Sequence, residues 1–176
     1  MSLAHQAIDA GADLFVTTGN HNLGALELYR SPRRGVRPIF YGLGNFFWSD
    51  VQEVMPHDLY QDNRALLEQA WHDPARATGY DLTAPLNKDR FAHAFTFQSV
   101  IAVSRFENNE VSEVELQAVE GGYGEKLTRS GIPRRVLDAK AAAAIYQQIA
   151  EANRRFGLPI LDLRLEGASA RIRATH

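Results

Sequence analysis

The stretch VTTGNHNLGALELY, residues 16–29, decides how this chain is interpreted. A polar run of two threonines, a glycine, an asparagine and a histidine (residues 17–21) directly follows three apolar residues at 14–16. Apolar residues resume soon afterwards. Open α/β sheets bind ligands at the carboxyl ends of their strands. The position of the polar run at a strand end therefore makes His21 a candidate site residue.

The preceding segment, LAHQAIDAGADLFVTT, predicts a helix, a glycine C-cap at Gly11 and a short buried strand. This order is the second half of a βαβ unit whose first strand is absent. A parallel strand needs a neighbour because its backbone groups must be paired. We therefore expect the natural protein to continue upstream, and residues 1–176 to be a single, partial domain.

Further along the chain, SPRRGVRP (residues 31–38) predicts a polar loop, and PIFYGLGNFFW (residues 38–48) predicts a second buried strand that ends at residues 42–45. If these two strands are parallel neighbours, His21 and Asn45 should lie at the same sheet edge and face a common depression. An amphipathic helix is expected over residues 61–74.

The last 80 residues give clearer patterns. Two alternating runs around Asn108 and Asn109 predict a β-hairpin. An alanine-rich helix is expected before Gly157, its C-cap. Residues 158–175 predict a closing strand or hairpin.

Composition limits the classes of function. The chain is 45% hydrophobic and 23% charged, with a net charge of −2, so we expect no nucleic-acid partner. The absence of cysteine excludes disulfides and thiolate metal sites. Only three of the 19 basic residues are lysine. Genomic base composition explains this bias, although arginine is also the better partner for carboxylates and phosphates.

The segments AIDAGADLFVTTGNHNLGALELY and RPIFYGLGNFFWSD resemble the bacterial capsule-synthesis CapA family, also described as poly-γ-glutamate biosynthesis proteins. The hairpin and the loop GGYGEKLTRSGIPR are similar to the family's downstream part. The resemblance implies a relation to calcineurin-like metallophosphatases, which are hydrolases. The implied fold is α/β: the C-terminal portion of an α/β/β/α sandwich, with a β-hairpin and a C-terminal helix.

The resemblance also implies a site. Without a gap, the family's Gly-His falls on Thr17 and Thr18, and its second histidine is kept as His21. His21 is therefore the candidate metal ligand, and Asn45 in GLGNF is the candidate catalytic residue. The full-length family implies a divalent metal of unknown identity, which this chain should not bind tightly, since one imidazole cannot hold it.

Each candidate has a structural alternative. His21 could instead cap a following helix or bond a backbone carbonyl, and Asn45 could simply form a turn. Core, loop or solvated-surface roles also explain the remaining polar and aromatic candidates, which are Trp48, His57, Asp58, Asp62, Glu68, His72, His93, Tyr123, Thr128, Arg129 and Ser130.

We therefore expect part of a capsule or poly-γ-glutamate biosynthesis protein with a metallophosphoesterase-like cleft, not catalytic as an isolated chain. The alternatives are a non-catalytic module whose arginines bind a polyanion, or a structural half of another site. The expected partners are the upstream half of the same protein, a polyglutamate substrate and a second copy of the chain. The family resemblance favours the cell envelope as its location.

Overall fold

The computed structural model describes residues 2–47, 61–62, 64–65, 68, 88, 92–126 and 129–174. The elements with defined bounds among them are two α-helices and eight strands. The strands form two sheets. In chain order the elements are α1 (Ser2–Asp9), β1 (Phe15–Val16), β2 (Leu26–Ser31), β3 (Gly35–Phe40), β4 (Gln98–Glu107), β5 (Glu110–Glu120), β6 (Arg134–Arg135), α2 (Ala139–Phe156), β7 (Arg164–Glu166) and β8 (Ser169–Arg173). The mixed α/β class predicted from the sequence is confirmed.

The smaller sheet has the strand order β1-β3-β2. β1 runs parallel to β3, with Val16 opposite Phe40, and β2 is antiparallel to β3. Successive side chains of a strand point to opposite faces. One face packs against α1 through Ile39, and the other enters the main core through Leu26 and Phe40. The predicted helix, Gly11 turn and strand are present, but the strand is not buried, since Leu14 and Val16 are 45% and 44% exposed.

The larger sheet is antiparallel, with the order β4-β5-β8-β7, and β6 also pairs with β5. Asn108 and Asn109 have φ of 49° and 63°, the left-handed values that a tight two-residue hairpin turn requires. The predicted hairpin is confirmed. A short 3-10 helix, Ala94–Phe97, leads into β4.

Helix α2 packs on the larger sheet through one apolar face. The side chain of Asp138 caps its first turn by accepting from the Ala141 N–H at 2.7 Å, and Gly157 ends it with φ of 66°. This confirms the predicted helix and its C-cap. The buried positions follow helical spacing and are Ala142, Ile145, Tyr146, Ile149 and Asn153. In the described residues, no helix is long and apolar enough to cross a membrane.

One structural alternative is excluded, and one local prediction was wrong. No helix follows His21, because residues 26–31 form β2. The expected loop over residues 31–38 is mostly strand, since β3 begins at Gly35 and ends at Phe40, before GLGN. The charged residue Arg37 concealed this strand: its side chain is fully buried, and its Nε lies 3.7 Å from Asp13. In the expected helix over residues 61–74, residues 61, 62, 64, 65 and 68 are helical, and the others lie outside the described residues.

The two sheets are joined directly. Leu43 bridges to Leu23, which precedes β2 of the smaller sheet, and Gly44 bridges to Ser99 at the start of β4. The Val100 N–H also donates to the Leu43 carbonyl at 3.1 Å. A single apolar core therefore continues from β2 and β3 to β4, β5, β8 and α2.

Candidate functional site

Two loops cross at the carboxyl edge of the smaller sheet. We name them the histidine loop (residues 17–25) and the asparagine loop (residues 41–45). They leave neighbouring parallel strands, β1 and β3, so they emerge side by side. The Tyr41 N–H donates to the Ala25 carbonyl at 2.8 Å, and the Gly24 N–H donates to the Gly42 carbonyl at 3.0 Å. Backbone hydrogen bonds thus fix one loop against the other.

At two positions the backbone lies so close to neighbouring atoms that a side chain would not fit. A β-carbon at Gly42 would collide with the side chain of Asn20, which donates to the Tyr41 carbonyl at 3.0 Å. A β-carbon at Gly44 would collide with the backbone oxygen of Gln98. Both glycines also have positive φ, 134° and 79°, which other residues rarely adopt. The glycines of GLGN are therefore required by the loop crossing.

His21 and Asn45 meet where the loops cross. His21 Nδ1 lies 3.0 Å from Asn45 Oδ1, and Asn45 Nδ2 donates to the Thr96 carbonyl at 3.2 Å. The prediction that the two side chains share one sheet edge is confirmed. Their catalytic and metal-binding roles stay predictions.

This pair sets the tautomer of the histidine. A carbonyl can only accept, so the Asn45 amide must turn its nitrogen to Thr96 and its oxygen to His21. The Nδ1 of His21 then carries the proton, and the lone pair of the neutral ring is on Nε2. Metal-binding histidines commonly use one nitrogen while the other donates to such an acceptor.

His21 also has an unusual backbone. Its φ is 59°, in the left-handed region that non-glycine residues seldom occupy. Such strain persists where the surrounding structure imposes it, and it is concentrated at functional sites. Asn20 and Gly42 lie beside the residue and hold the loop in this shape.

The described residues can be compared with the ligand set of a metal site, which has three or four members. Within the described ranges, no group of three or more His, Asp or Glu side chains is close enough together to hold a metal ion. Thr18, at the position of the family's first histidine, is exposed. Among the described residues, His21 is therefore a single imidazole without a cluster of further ligands.

A cleft of about 870 Å³ opens beside the crossing. The pair of His21 and Asn45 lies next to this cleft, but neither residue lines it. The prediction that both side chains face a common depression is therefore not met by this cleft. The histidine loop and the last three turns of α2 form its two walls. The lining residues are Thr17, Asn20, Asn22, Leu23, Gly24, Tyr41, Phe95, Gln148, Glu151, Ala152, Arg155, Phe156 and Leu158.

A second polar cluster lies between α1 and the smaller sheet, and our sequence analysis missed it. His5 Nε2 is 3.0 Å from both carboxylate oxygens of Glu27, and the Tyr41 hydroxyl donates to the same carboxylate at 2.9 Å. Asp9, one turn further along α1, accepts from Tyr29 at 3.1 Å. The spacing of His5 and Asp9 on one helix face was the available signal.

This cluster shifts the ionisation of two tyrosines. Burial, followed by the hydrogen bond to the Glu27 carboxylate, raises the pKa of Tyr41 well above its ordinary value of 10.0. Burial and the Asp9 carboxylate likewise raise the pKa of Tyr29. Both effects favour the neutral phenol, which donates a hydrogen bond to the carboxylate.

The other candidates are structural in their described contacts. Arg129 pairs with Glu125 at 3.2 Å, and the Tyr123 hydroxyl donates to the Ala92 carbonyl at 2.9 Å, which favours a structured surface loop. Glu68 pairs with Arg64, and His93 stacks on Phe95. Asp62 is exposed. The candidates outside the described residues are Trp48, His57, Asp58, His72 and Thr128.

Arginines gather on the outer face of the larger sheet, opposite α2, as the polyanion-binding alternative requires. However, Arg105, Arg171 and Arg173 each lie within 4 Å of a carboxylate oxygen of Glu113 or Glu115. Paired charges of this kind compensate one another. This face therefore gives no specific support to binding of a polyanion.

Comparison with known proteins agrees with the resemblance. Residues 1–49 match the family described as "Bacterial capsule synthesis protein PGA_cap". These residues contain both loops of the crossing. The chain is also 33% identical, over 163 residues, to the uncharacterized proteins y4sH and y4uA of Sinorhizobium fredii (strain NBRC 101917 / NGR234). The alignment covers 90% of this chain but 34% of each relative.

Proposed function

We propose that this chain is the part of a capsule or poly-γ-glutamate biosynthesis protein that contributes His21 to a metallophosphoesterase-like site. The observation that carries the proposal is the contact between His21 and Asn45, at 3.0 Å. Both residues lie within the segment that matches the capsule-synthesis family. In this proposal Asn45 fixes the ring of His21 and forms a polar wall of the site.

The remaining metal ligands would come from the upstream half of the same protein. This chain spans about a third of the length of the relatives it matches. A single imidazole is too few ligands for a stable site, which needs three or four. We therefore expect the isolated chain to be inactive and the complete protein to act on a phosphoester-like or polyglutamate-linked substrate, at the cell envelope.

Two arrangements in the structure support this proposal. The tautomer set by Asn45 leaves the lone pair of the neutral His21 ring on Nε2, as a metal ligand requires. The strained backbone of His21 is maintained by the loop crossing, so the ring is held in one place.

Calorimetry with Mn²⁺ and Zn²⁺ tests the metal part of the proposal. We expect this chain to bind both ions weakly. His93, an exposed histidine outside the crossing, provides the matched control variant His93→Ala. Tight one-to-one binding by the chain, lost in His21→Ala but kept in His93→Ala, would show that this chain already holds a complete site.

The biological part is tested with the natural full-length protein. We expect His21→Ala to abolish production of the capsule polymer in a complementation assay, and His93→Ala to leave it intact. Normal polymer production by the His21→Ala variant, expressed at the wild-type level, would contradict the proposed role.

A further inference from the structure

We infer that the cleft between the histidine loop and α2 binds a neutral saccharide chain. This site is separate from the metal site proposed above, because neither His21 nor Asn45 lines it. Its volume of about 870 Å³ falls within the range of ligand sites, which is roughly 300–1,000 Å³.

The polar part of the cleft is rich in hydrogen-bond acceptors. Asn22 Oδ1 is buried and has no hydrogen-bond partner within the described part of the chain. Asn20 uses its amide nitrogen on the Tyr41 carbonyl, so its amide oxygen remains as an acceptor. The hydroxyl of Thr17 and the carboxylate of Glu151 also line the cleft. Acceptors that line a cleft bind hydrogen-bond donors, so the matching ligand is one that carries O–H or N–H groups.

The apolar part of the cleft contains two exposed aromatic rings. Phe95 is 43% exposed and Phe156 is 57% exposed, and both line the cleft. Large apolar side chains left open in a cavity wall often mark a contact surface. A sugar ring combines an apolar face of C–H groups, which packs on an aromatic ring, with hydroxyl donors at its rim.

The charges favour a neutral ligand over an anionic one. The last turn of the α2 wall carries the basic residues Arg154 and Arg155, which offset the negative end of the helix dipole. Arg155 lines the cleft but lies 3.3 Å from Glu151, which also lines it. The charges of Arg155 and Glu151 therefore cancel, and a carboxylate-bearing chain meets no unpaired cation among the described lining residues. A neutral polyhydroxylated chain needs none.

Ligand-observed NMR on the 176-residue chain tests the inference, with maltotriose and triacetylchitotriose as neutral saccharides and a γ-glutamyl trimer as the anionic comparison. We expect millimolar binding of at least one saccharide. Phe156→Ala should weaken it by roughly three- to tenfold, and Asn22→Ala should weaken it as well. The control Phe106→Ala, an exposed ring outside the cleft, should not change it.

The exposed position of Phe156 makes its truncation compatible with folding, and circular dichroism verifies this for each variant. The inference is overturned if neither saccharide binds, if the γ-glutamyl trimer binds in preference to both, or if Phe156→Ala and Asn22→Ala bind as the wild type does. Failure of this test leaves the metal proposal untouched, since that depends on His21 and uses different variants.

Discussion

The amide of Asn45 determines which nitrogen of His21 carries the proton. In Asn45→Ala the acceptor is lost, and we expect the imidazole to shift from the Nδ1–H to the Nε2–H tautomer, with a loss of stability of about 1 kcal/mol. Nitrogen-15 NMR of the His21 ring measures the change directly. Thr18→Ala, an exposed substitution in the same loop, serves as the control. An unchanged ring spectrum in Asn45→Ala would show that another group sets the tautomer.

The buried side chain of Asn153 makes hydrogen bonds to the free side of β2, which is the last strand of the smaller sheet. Its amide accepts from the Leu26 N–H at 2.9 Å and donates to the Leu26 carbonyl at 2.8 Å. Asn153→Ala leaves both backbone groups unpaired, so we expect a loss of about 2–4 kcal/mol in the free energy of unfolding. Urea denaturation measures it. Gln147→Ala, an exposed amide on the same helix, should change stability by less than about 0.5 kcal/mol.

The site residues show how far sequence reasoning reaches at this scale. The position of His21 and Asn45 at neighbouring strand ends could be predicted, because parallel strands end at one sheet edge. The role of Asn153 could not, since it depends on a residue 127 positions away. The pairing of His5 with Glu27 could not be predicted either, because the two residues are 22 positions apart in the sequence.

At the scale of elements, the contact between α1 and the smaller sheet should depend on pH. The raised pKa of Tyr41 means that the unfolded chain loses the phenol proton near the ordinary value of 10.0, while the folded chain keeps it. Stability is therefore fully present below pH 10 and falls as the pH rises above it, until the folded tyrosine also ionises. Urea denaturation at a series of pH values measures this fall.

Tyr41→Phe removes one of the two tyrosines whose pKa is raised at that interface, and Tyr29 remains. We expect the variant to be less stable at neutral pH, because the Glu27 carboxylate loses a donor, but to lose less stability above pH 10 than the wild type. Tyr123→Phe, at an exposed ring elsewhere, is the matched control. Equal alkaline slopes in the wild type and in Tyr41→Phe would contradict this assignment.

Elements with strong local patterns were predicted well. The hairpin around Asn108 and Asn109 and the helix capped by Gly157 have turn and cap residues that act locally. β2 and the first half of β3 were missed, because Arg37 and Glu27 are charged residues buried by contacts that no local pattern shows. These strands depend on tertiary contacts of Arg37 and Glu27 and not on a local sequence pattern.

At the scale of the whole molecule, the smaller sheet ends in an exposed apolar edge. Among the described residues β1 pairs with β3 alone, and Leu14, Val16 and Leu3 of α1 are 45%, 44% and 69% exposed. An open strand edge with apolar side chains is a template for another strand. We predict that the isolated chain forms a symmetric dimer through this region.

Sedimentation velocity at micromolar concentration tests the dimer. Val16→Lys should shift the protein to monomer, because a charge at the edge strand opposes pairing. Leu137→Lys, at a 77% exposed residue away from this edge, should leave the dimer intact. A monomeric wild-type chain would contradict the prediction.

The two hydrogen bonds from Asn153 to Leu26 have a consequence for the order of folding. The larger sheet and α2 come from one continuous segment, residues 98–173, whereas these bonds must close a loop of 127 residues. Closing so long a loop is costly in entropy and is expected late. Stopped-flow measurements should then find that Asn153→Ala accelerates unfolding and hardly slows folding. This result would mean that the N-terminal strands pack late, on a larger sheet and α2 that have already formed.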